Sequence, residues 1–143
     1  MSARKCPHGR IVRHAGDTSP FPFACALRCA RNGIAYAFTT QKNLKVHLAF
    51  ALAAVALGFA LSVSEAGWLA IVLCIMVVMA LEIVNTAIES VVDMVSPEWH
   101  ELAMRAKDCA AGAVCLAAIG SLVVAAIVYL PRIAALAGAL LAS

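Results

Sequence analysis

Three carboxylates follow one another at helical spacing inside a hydrophobic stretch of the sequence. These are Glu82, Glu89 and Asp93, and two further polar residues, Asn85 and Thr86, lie between them. At about 100° per residue all five side chains share a helix face about 100° wide, here called the acidic stripe. A carboxylate at membrane depth costs several kcal/mol unless it is paired or binds a cation. The acidic stripe therefore requires a metal ion, a basic side chain or a proton.

The acidic stripe has a structural alternative, a polar seam that only holds helices together. Seams of that kind generally use Ser, Thr, Asn or Gln, whereas repeated carboxylates repel one another. Ionisable residues inside a membrane are functional by default. We therefore interpret the acidic stripe as part of a functional site.

A second charged cluster follows the acidic stripe and contains Glu98, His100, Glu101, Arg105, Lys107 and Asp108. An anionic substrate arriving from the cytoplasm would meet Arg105 and Lys107 there. Carboxylates for a divalent metal and a cationic side chain for phosphate are what nucleotide phosphoryl transfer requires. Taken alone, this cluster also suits a solvated connection between two helices.

The elements that must position these residues are predicted to be membrane helices. Of the 143 residues, 64% are hydrophobic and 13% are charged, whereas soluble domains are about half apolar and about a quarter charged. A soluble chain this short could not bury so much apolar surface. We predict an all-α integral membrane domain over residues 21–143, with three spans at about 46–63, 68–92 and 109–130.

The ends of the three spans are marked by turn and cap residues. Residues 64–67 are predicted to form a tight turn between the first two spans. Ser96 is predicted to end the second span and to cap a short helix that begins at Pro97. Pro131 is predicted to close the third span, after which the apolar tail either extends the third helix or rests at the membrane interface.

The basic residues predict the orientation. Eight Lys and Arg residues precede the first span and two follow the second, whereas Arg132 follows the third. This asymmetry places the N-terminus in the cytoplasm and the C-terminus outside the inner membrane of a bacterial cell. Residues 1–20 are interpreted as a disordered basic extension, and residues 21–45 as an amphipathic helix in the membrane interface.

Residues 80–114, ALEIVNTAIESVVDMVSPEWHELAMRAKDCAAGAV, carry a recognisable motif. They resemble the signature of the prokaryotic diacylglycerol kinase family, which includes the undecaprenol kinases. Its first block is E-x-x-N-[ST]-A-I-E-x-x-V-D, and its second is E-[YW]-H-E-L-x-x-R-A-K-D. Residues 33–48, GIAYAFTTQKNLKVHL, are more weakly similar to the undecaprenol kinase branch. With the three-span layout, the resemblance covers about residues 21–130.

The resemblance implies a homotrimeric membrane kinase that uses Mg²⁺ and ATP to phosphorylate a lipid alcohol at the cytoplasmic interface. Glu82 would be the general base and would bind the substrate together with Asn85. Glu89 would bind the metal. The nucleotide would be held by Glu89, Glu98, Trp99, His100, Lys107, Asp108 and Gln41. Membrane lipids are the other expected partners, and no nucleic acid is expected.

One position departs from the family pattern, because Gln41 stands where the best-known members have a second metal-binding Glu. Glutamine offers a carbonyl oxygen to a metal but no charge. Asn43 and His47 form an N-x-x-x-H element that favours undecaprenol as the substrate, and diacylglycerol stays open.

Two other function classes remain open from the residues themselves. A small proton- or cation-coupled transport subunit would use the acidic stripe but would not need Lys107. A non-catalytic helical scaffold would show no response to ATP.

Overall fold

The computed structural model describes residues 23–142, which form four α-helices and no strand. The helices are α1 (Phe23–Thr40), α2 (Lys42–Ala60), α3 (Glu65–Val95) and α4 (Glu101–Leu141). The predicted all-α fold class is confirmed. The predicted extension at residues 1–20 lies outside the described residues.

Helices α2, α3 and α4 are each long and apolar enough to cross a membrane. Their 19, 31 and 41 residues correspond to about 28, 46 and 62 Å, against a hydrocarbon core of about 30 Å. Between 11% and 17% of the residues in their apolar windows are buried within the chain. The remaining apolar surface needs lipid or further copies of the chain to cover it, as a three-span membrane protein requires.

The predicted amphipathic helix over residues 21–45 is confirmed in part: α1 ends at Thr40, and residues 42–45 form the first turn of α2. Cys25 and Ala37 are buried, whereas Arg28 and Arg31 are exposed on the same helix. The helix packs against both α2 and α3. Its location in the membrane interface stays a prediction.

The predicted turn at residues 64–67 is wrong. Helix α2 ends at Ala60, and the chain reverses through Ser62, which has a φ of 48°. The Ser64 side chain then accepts a hydrogen bond from the Gly67 N–H at 3.4 Å and caps α3. Serine is a favoured N-cap residue, so residues 65–67 form the first turn of α3.

The predicted short helix beginning at Pro97 is also wrong. Ser96 ends α3, and its hydroxyl donates to the Glu98 carbonyl at 3.1 Å, so it does not cap a following helix. His100 caps α4 instead, because its Nδ1 accepts the Leu102 N–H at 3.2 Å. The third membrane helix therefore begins at Glu101, well before the predicted residue 109.

Pro131 does not end the third helix, since it lies inside α4, which continues to Leu141. The end of the membrane span at about residue 130 stays a prediction. Proline removes one backbone hydrogen bond, but the Ala- and Leu-rich sequence after it has high helix propensity. Of the two alternatives for the tail, extension of the third helix is the one that forms. Arg132 Nη1 donates to the Ser62 carbonyl at 2.7 Å and ties α4 to the reversal after α2.

Tight packing joins α2, α3 and α4 at the end of the bundle that carries residues 61–64, here called the turn end. Val63, Ile71 and Tyr129 form a buried cluster there. The Phe59 and Trp68 ring centroids are 4.7 Å apart. The opposite end, which carries residues 96–100, is here called the loop end.

Candidate functional site

The acidic stripe descends along α3 from the interior of the bundle to the loop end. Glu82, Asn85 and Thr86 are buried, with 3%, 7% and 3% of their surface exposed. Glu89 is half-buried and Asp93 is exposed. The deepest carboxylate is thus the one whose burial is most costly, and it requires a polar partner.

Glu82 meets a histidine from the neighbouring helix. His47 Nε2 on α2 lies 3.2 Å from Glu82 Oε1, and the two side chains are 24% and 4% exposed. The Thr86 hydroxyl does not serve this carboxylate, because it donates to the Glu82 backbone carbonyl at 2.9 Å. The sequence suggested His47 only as a substrate-class marker, whereas the structure places it against Glu82.

Glu89 is surrounded by two side-chain amides from different parts of the chain. Gln41, at the junction of α1 and α2, donates from Nε2 to Glu89 Oε2 at 3.1 Å. Asn85, one turn earlier on α3, donates from Nδ2 to Glu89 Oε1 at 3.0 Å. The other atom of this amide, Asn85 Oδ1, is buried and has no hydrogen-bond partner among the described residues.

These residues fit a magnesium ion that arrives with a nucleotide. Within residues 23–142 no three His, Cys, Asp or Glu side chains are grouped to hold a metal by themselves. Mg²⁺ is usually held by one or two carboxylates, with phosphate and water oxygens completing its shell. Glu89 would supply one carboxylate, and Asn85 Oδ1 is a neutral oxygen without a partner among the described residues, on the amide that donates to Glu89. The Gln41 amide nitrogen faces Glu89. For the Gln41 amide oxygen to face Glu89 instead, a cation would have to lie between the two oxygens.

Asp93 and Lys107 form an ion pair that joins α3 to α4 near the loop end. Their side chains are 65% and 37% exposed, and exposed pairs contribute only about 0–1 kcal/mol to stability. Lys107 is therefore available to exchange Asp93 for another anion at little cost to the fold.

The remaining residues predicted for the nucleotide stand apart from Glu89. Glu98, Trp99 and Asp108 are exposed, Trp99 to 79%, and no side-chain hydrogen bond or ion pair joins them to the acidic stripe within the described residues. His100 is occupied as the N-cap of α4. The structure thus brings Gln41, Asn85 and Glu89 together and leaves the loop-end group separate.

An apolar cavity of about 430 Å³ lies between α2, α3 and α4. Its walls are almost entirely aliphatic or aromatic, and His47, Ser121 and Tyr129 are its polar members. The Tyr129 hydroxyl is already bound to the Ala54 carbonyl at 2.7 Å. His47 therefore connects this cavity to the buried Glu82, a relation that periodicity within single helices could not reveal.

Comparisons with known proteins point to one family. The family model described as prokaryotic diacylglycerol kinase matches residues 28–129. A diacylglycerol kinase of Synechocystis is 42% identical over 112 residues, which cover 78% of this chain and 64% of that protein. The undecaprenol kinase of Bacillus subtilis is 39% identical over 104 residues, which cover 73% of this chain and 85% of that protein. A diacylglycerol kinase of Escherichia coli is 53% identical over a shorter stretch of 45 residues.

The matched range contains all of α2 and α3, both signature blocks and every residue of the acidic stripe. The names of these relatives denote lipid kinases. The resemblance predicted from the two blocks is confirmed: this chain belongs to the prokaryotic diacylglycerol kinase family.

Proposed function

We propose that the protein transfers the γ-phosphate of ATP to the hydroxyl of a membrane lipid alcohol at the cytoplasmic interface. One observation carries this proposal, which is the location of the buried Glu82. On one side it contacts His47, which lines the apolar cavity. On the other side, one to two helical turns along α3, lies the polar cluster around Glu89. Such a junction suits a reaction between an apolar alcohol and a charged donor.

In the proposed reaction Glu82 is the general base. The lipid hydroxyl oxygen forms a bond to the γ-phosphorus, and the bond from that phosphorus to the β–γ bridging oxygen breaks. ADP leaves with the electron pair, and the hydroxyl proton passes to Glu82. General-base catalysis of this kind contributes about 10²- to 10⁴-fold to the rate.

Glu89, with Asn85 and Gln41, would hold Mg²⁺ beside the phosphates. A bound Mg²⁺ supplies positive charge that offsets the charge developing on the transferred phosphoryl group. The two amide donors keep the Glu89 carboxylate in one orientation before the nucleotide arrives. Asn85 also lies close enough along α3 to help orient the substrate beside Glu82.

Lys107 would bind the nucleotide phosphates in exchange for Asp93, and Glu98, Trp99, His100 and Asp108 would complete the nucleotide site. Their exposure at the loop end suits an ATP molecule that arrives from the cytoplasm. This requires the loop end to face the cytoplasm, which the distribution of basic residues also predicts. The large uncovered apolar surface of α2 to α4 is consistent with a homotrimer in the membrane.

The lipid chain would lie in the apolar cavity, with its hydroxyl at the end nearest His47 and Glu82. The sequence element Asn43 and His47 favours undecaprenol, and the relatives' names include both diacylglycerol kinases and an undecaprenol kinase. We therefore propose a lipid alcohol as the substrate class and undecaprenol as its first candidate.

The test is a radiolabel transfer assay on the purified full chain in phospholipid vesicles. Vesicles containing undecaprenol, diacylglycerol or neither lipid are supplied with Mg²⁺ and γ-labelled ATP. The proposal predicts label in the lipid fraction with at least one alcohol and none in vesicles without alcohol. A transport subunit or a scaffold would leave the lipid unlabelled in all three preparations.

A further inference from the structure

His47 is the point at which the apolar cavity and the acidic stripe meet. It lies on α2, lines the cavity and approaches Glu82 on α3. Neither helix alone contains this contact, because the two residues are 35 positions apart in the sequence. A partly exposed imidazole thus contacts a carboxylate that is 4% exposed.

The other polar side chains near Glu82 are already committed elsewhere. The Thr86 hydroxyl binds the backbone carbonyl of Glu82. The Asn85 amide nitrogen binds Glu89. His47 Nε2, at 3.2 Å from Oε1, is therefore the described side chain placed to orient the Glu82 carboxylate.

An unrestrained glutamate side chain rotates about three bonds, and ordering it costs conformational entropy. A base that is displaced by about 1 Å from its working position can lose about 10²-fold in rate. A ring nitrogen that contacts the carboxylate from the neighbouring helix restricts this freedom before the substrate binds.

We infer that His47 is a positioning residue for Glu82. It holds Oε1 from the α2 side and leaves Oε2 to receive the proton of a lipid hydroxyl delivered through the cavity. The imidazole keeps its own protons throughout: the hydroxyl proton moves to Glu82 and the new bond forms between the lipid oxygen and phosphorus. This inference rests on the proposed lipid kinase function.

The experiment compares three variants of the full chain in the vesicle assay with undecaprenol and, separately, with diacylglycerol. His47→Phe keeps a ring of similar size but removes the ring nitrogen that contacts Glu82. His47→Gln keeps a nitrogen donor near the position of Nε2. Leu48→Phe adds a ring at the next residue of α2, which is exposed and does not line the cavity.

We expect His47→Phe to lower kcat about 100-fold with little change in the KM for ATP, as loss of correct positioning predicts. His47→Gln should recover turnover to within about threefold of the wild type, and Leu48→Phe should equal the wild type. Helical content measured by circular dichroism should be the same in all the variants. Rescue by glutamine separates a polar positioning role from ring packing.

Two results would overturn the inference. One is a normal kcat for His47→Phe, and the other is a loss in His47→Gln as large as that in His47→Phe. Both leave the lipid kinase function intact, because the wild-type protein is active in the same assay. A wild type that labels neither lipid would instead refute the proposed function, and this inference with it.

Discussion

At the turn end of the bundle the side-chain hydrogen bonds that join two helices run to backbone carbonyls, whereas towards the loop end the polar contacts that join helices run between side chains. Tyr129 donates to Ala54 and Arg132 to Ser62, each at 2.7 Å, which joins α4 to α2. Near the loop end Glu89 accepts from the amides of Asn85 and Gln41. The contacts with backbone carbonyls at the turn end hold the helices together. The side-chain contacts near the loop end can be exchanged for contacts with a ligand.

The two ends also differ in whether their buried polar atoms have hydrogen-bond partners. Asn85 Oδ1 is buried without a partner among residues 23–142, and such an atom costs about 1–3 kcal/mol. An unpaired buried oxygen therefore destabilises the protein. If the loop end is built for binding at the expense of stability, substitutions at the two ends will have different consequences.

The largest effect is expected for Glu89→Gln. Removing the carboxylate would remove the charged ligand for Mg²⁺, whose stabilisation of phosphoryl transfer is several kcal/mol. We expect kcat/KM to fall about 1000-fold, equivalent to about 4 kcal/mol, while the helical content stays unchanged. The measurement is lipid phosphorylation at a series of Mg²⁺ concentrations. Normal activity at low Mg²⁺ would break the proposed distinction between the two ends.

Lys107→Ala should have the next largest effect. Loss of the cation for phosphate should raise the KM for ATP about 10- to 100-fold, equivalent to about 1.4–2.7 kcal/mol. Asp93→Asn is the matched control, because it breaks the same ion pair and keeps the cation. We expect its KM to change less than about threefold, and the stability of both variants to change by less than about 1 kcal/mol. An equal effect of both substitutions would make the ion pair itself the important feature.

At the turn end Gly67→Ala should reduce stability and leave kcat unchanged. A Cβ at Gly67 would lie 2.4 Å from Val63 Cγ1 and 3.3 Å from Val128 Cγ1. Overpacking of this kind costs about 1–3 kcal/mol. Unfolding in detergent micelles measures the loss. Gly120→Ala on α4 has nothing within 4 Å of the new Cβ, so it should be neutral or stabilising by up to about 1 kcal/mol.

The smallest effect is expected for Gln41→Glu. The substitution adds a second carboxylate beside Glu89 and so increases attraction for Mg²⁺. The concentration of Mg²⁺ that supports half-maximal activity should fall about threefold. A rise in that concentration would mean that the Gln41 amide is needed to orient Glu89, and that Gln41 is no metal ligand.

The sequence predicted which residues form the candidate site better than it predicted the contacts between residues of different helices. The one-face spacing of Glu82, Asn85 and Glu89 follows from helical geometry, which a sequence contains directly. The contacts of His47 with Glu82 and of Gln41 with Glu89 join different helices, so no local pattern reports them. The role of residues 98, 99 and 108 stays a prediction, since their exposed side chains make no contact with Glu89 within the described residues.

The fold was likewise predictable in its number of spans and less so at their ends. Hydropathy identifies three apolar stretches, because a helix that crosses the bilayer needs about 20 predominantly apolar residues. Ser64 and His100 decide where α3 and α4 begin through single hydrogen bonds. Pro131 suggested a helix end, but the helix-forming residues on both sides outweigh its one lost hydrogen bond.

The assignment of Glu82 as the general base is tested by comparing Glu82→Gln with Glu65→Gln. Both residues lie on α3, but Glu65 is exposed in its first turn at the turn end. The measurement is kcat for phosphorylation of the active lipid alcohol by each variant in vesicles. We expect Glu82→Gln to lose at least about 100-fold with the KM for ATP unchanged, and Glu65→Gln to match the wild type. Normal turnover in Glu82→Gln would contradict the assignment of Glu82 as the general base.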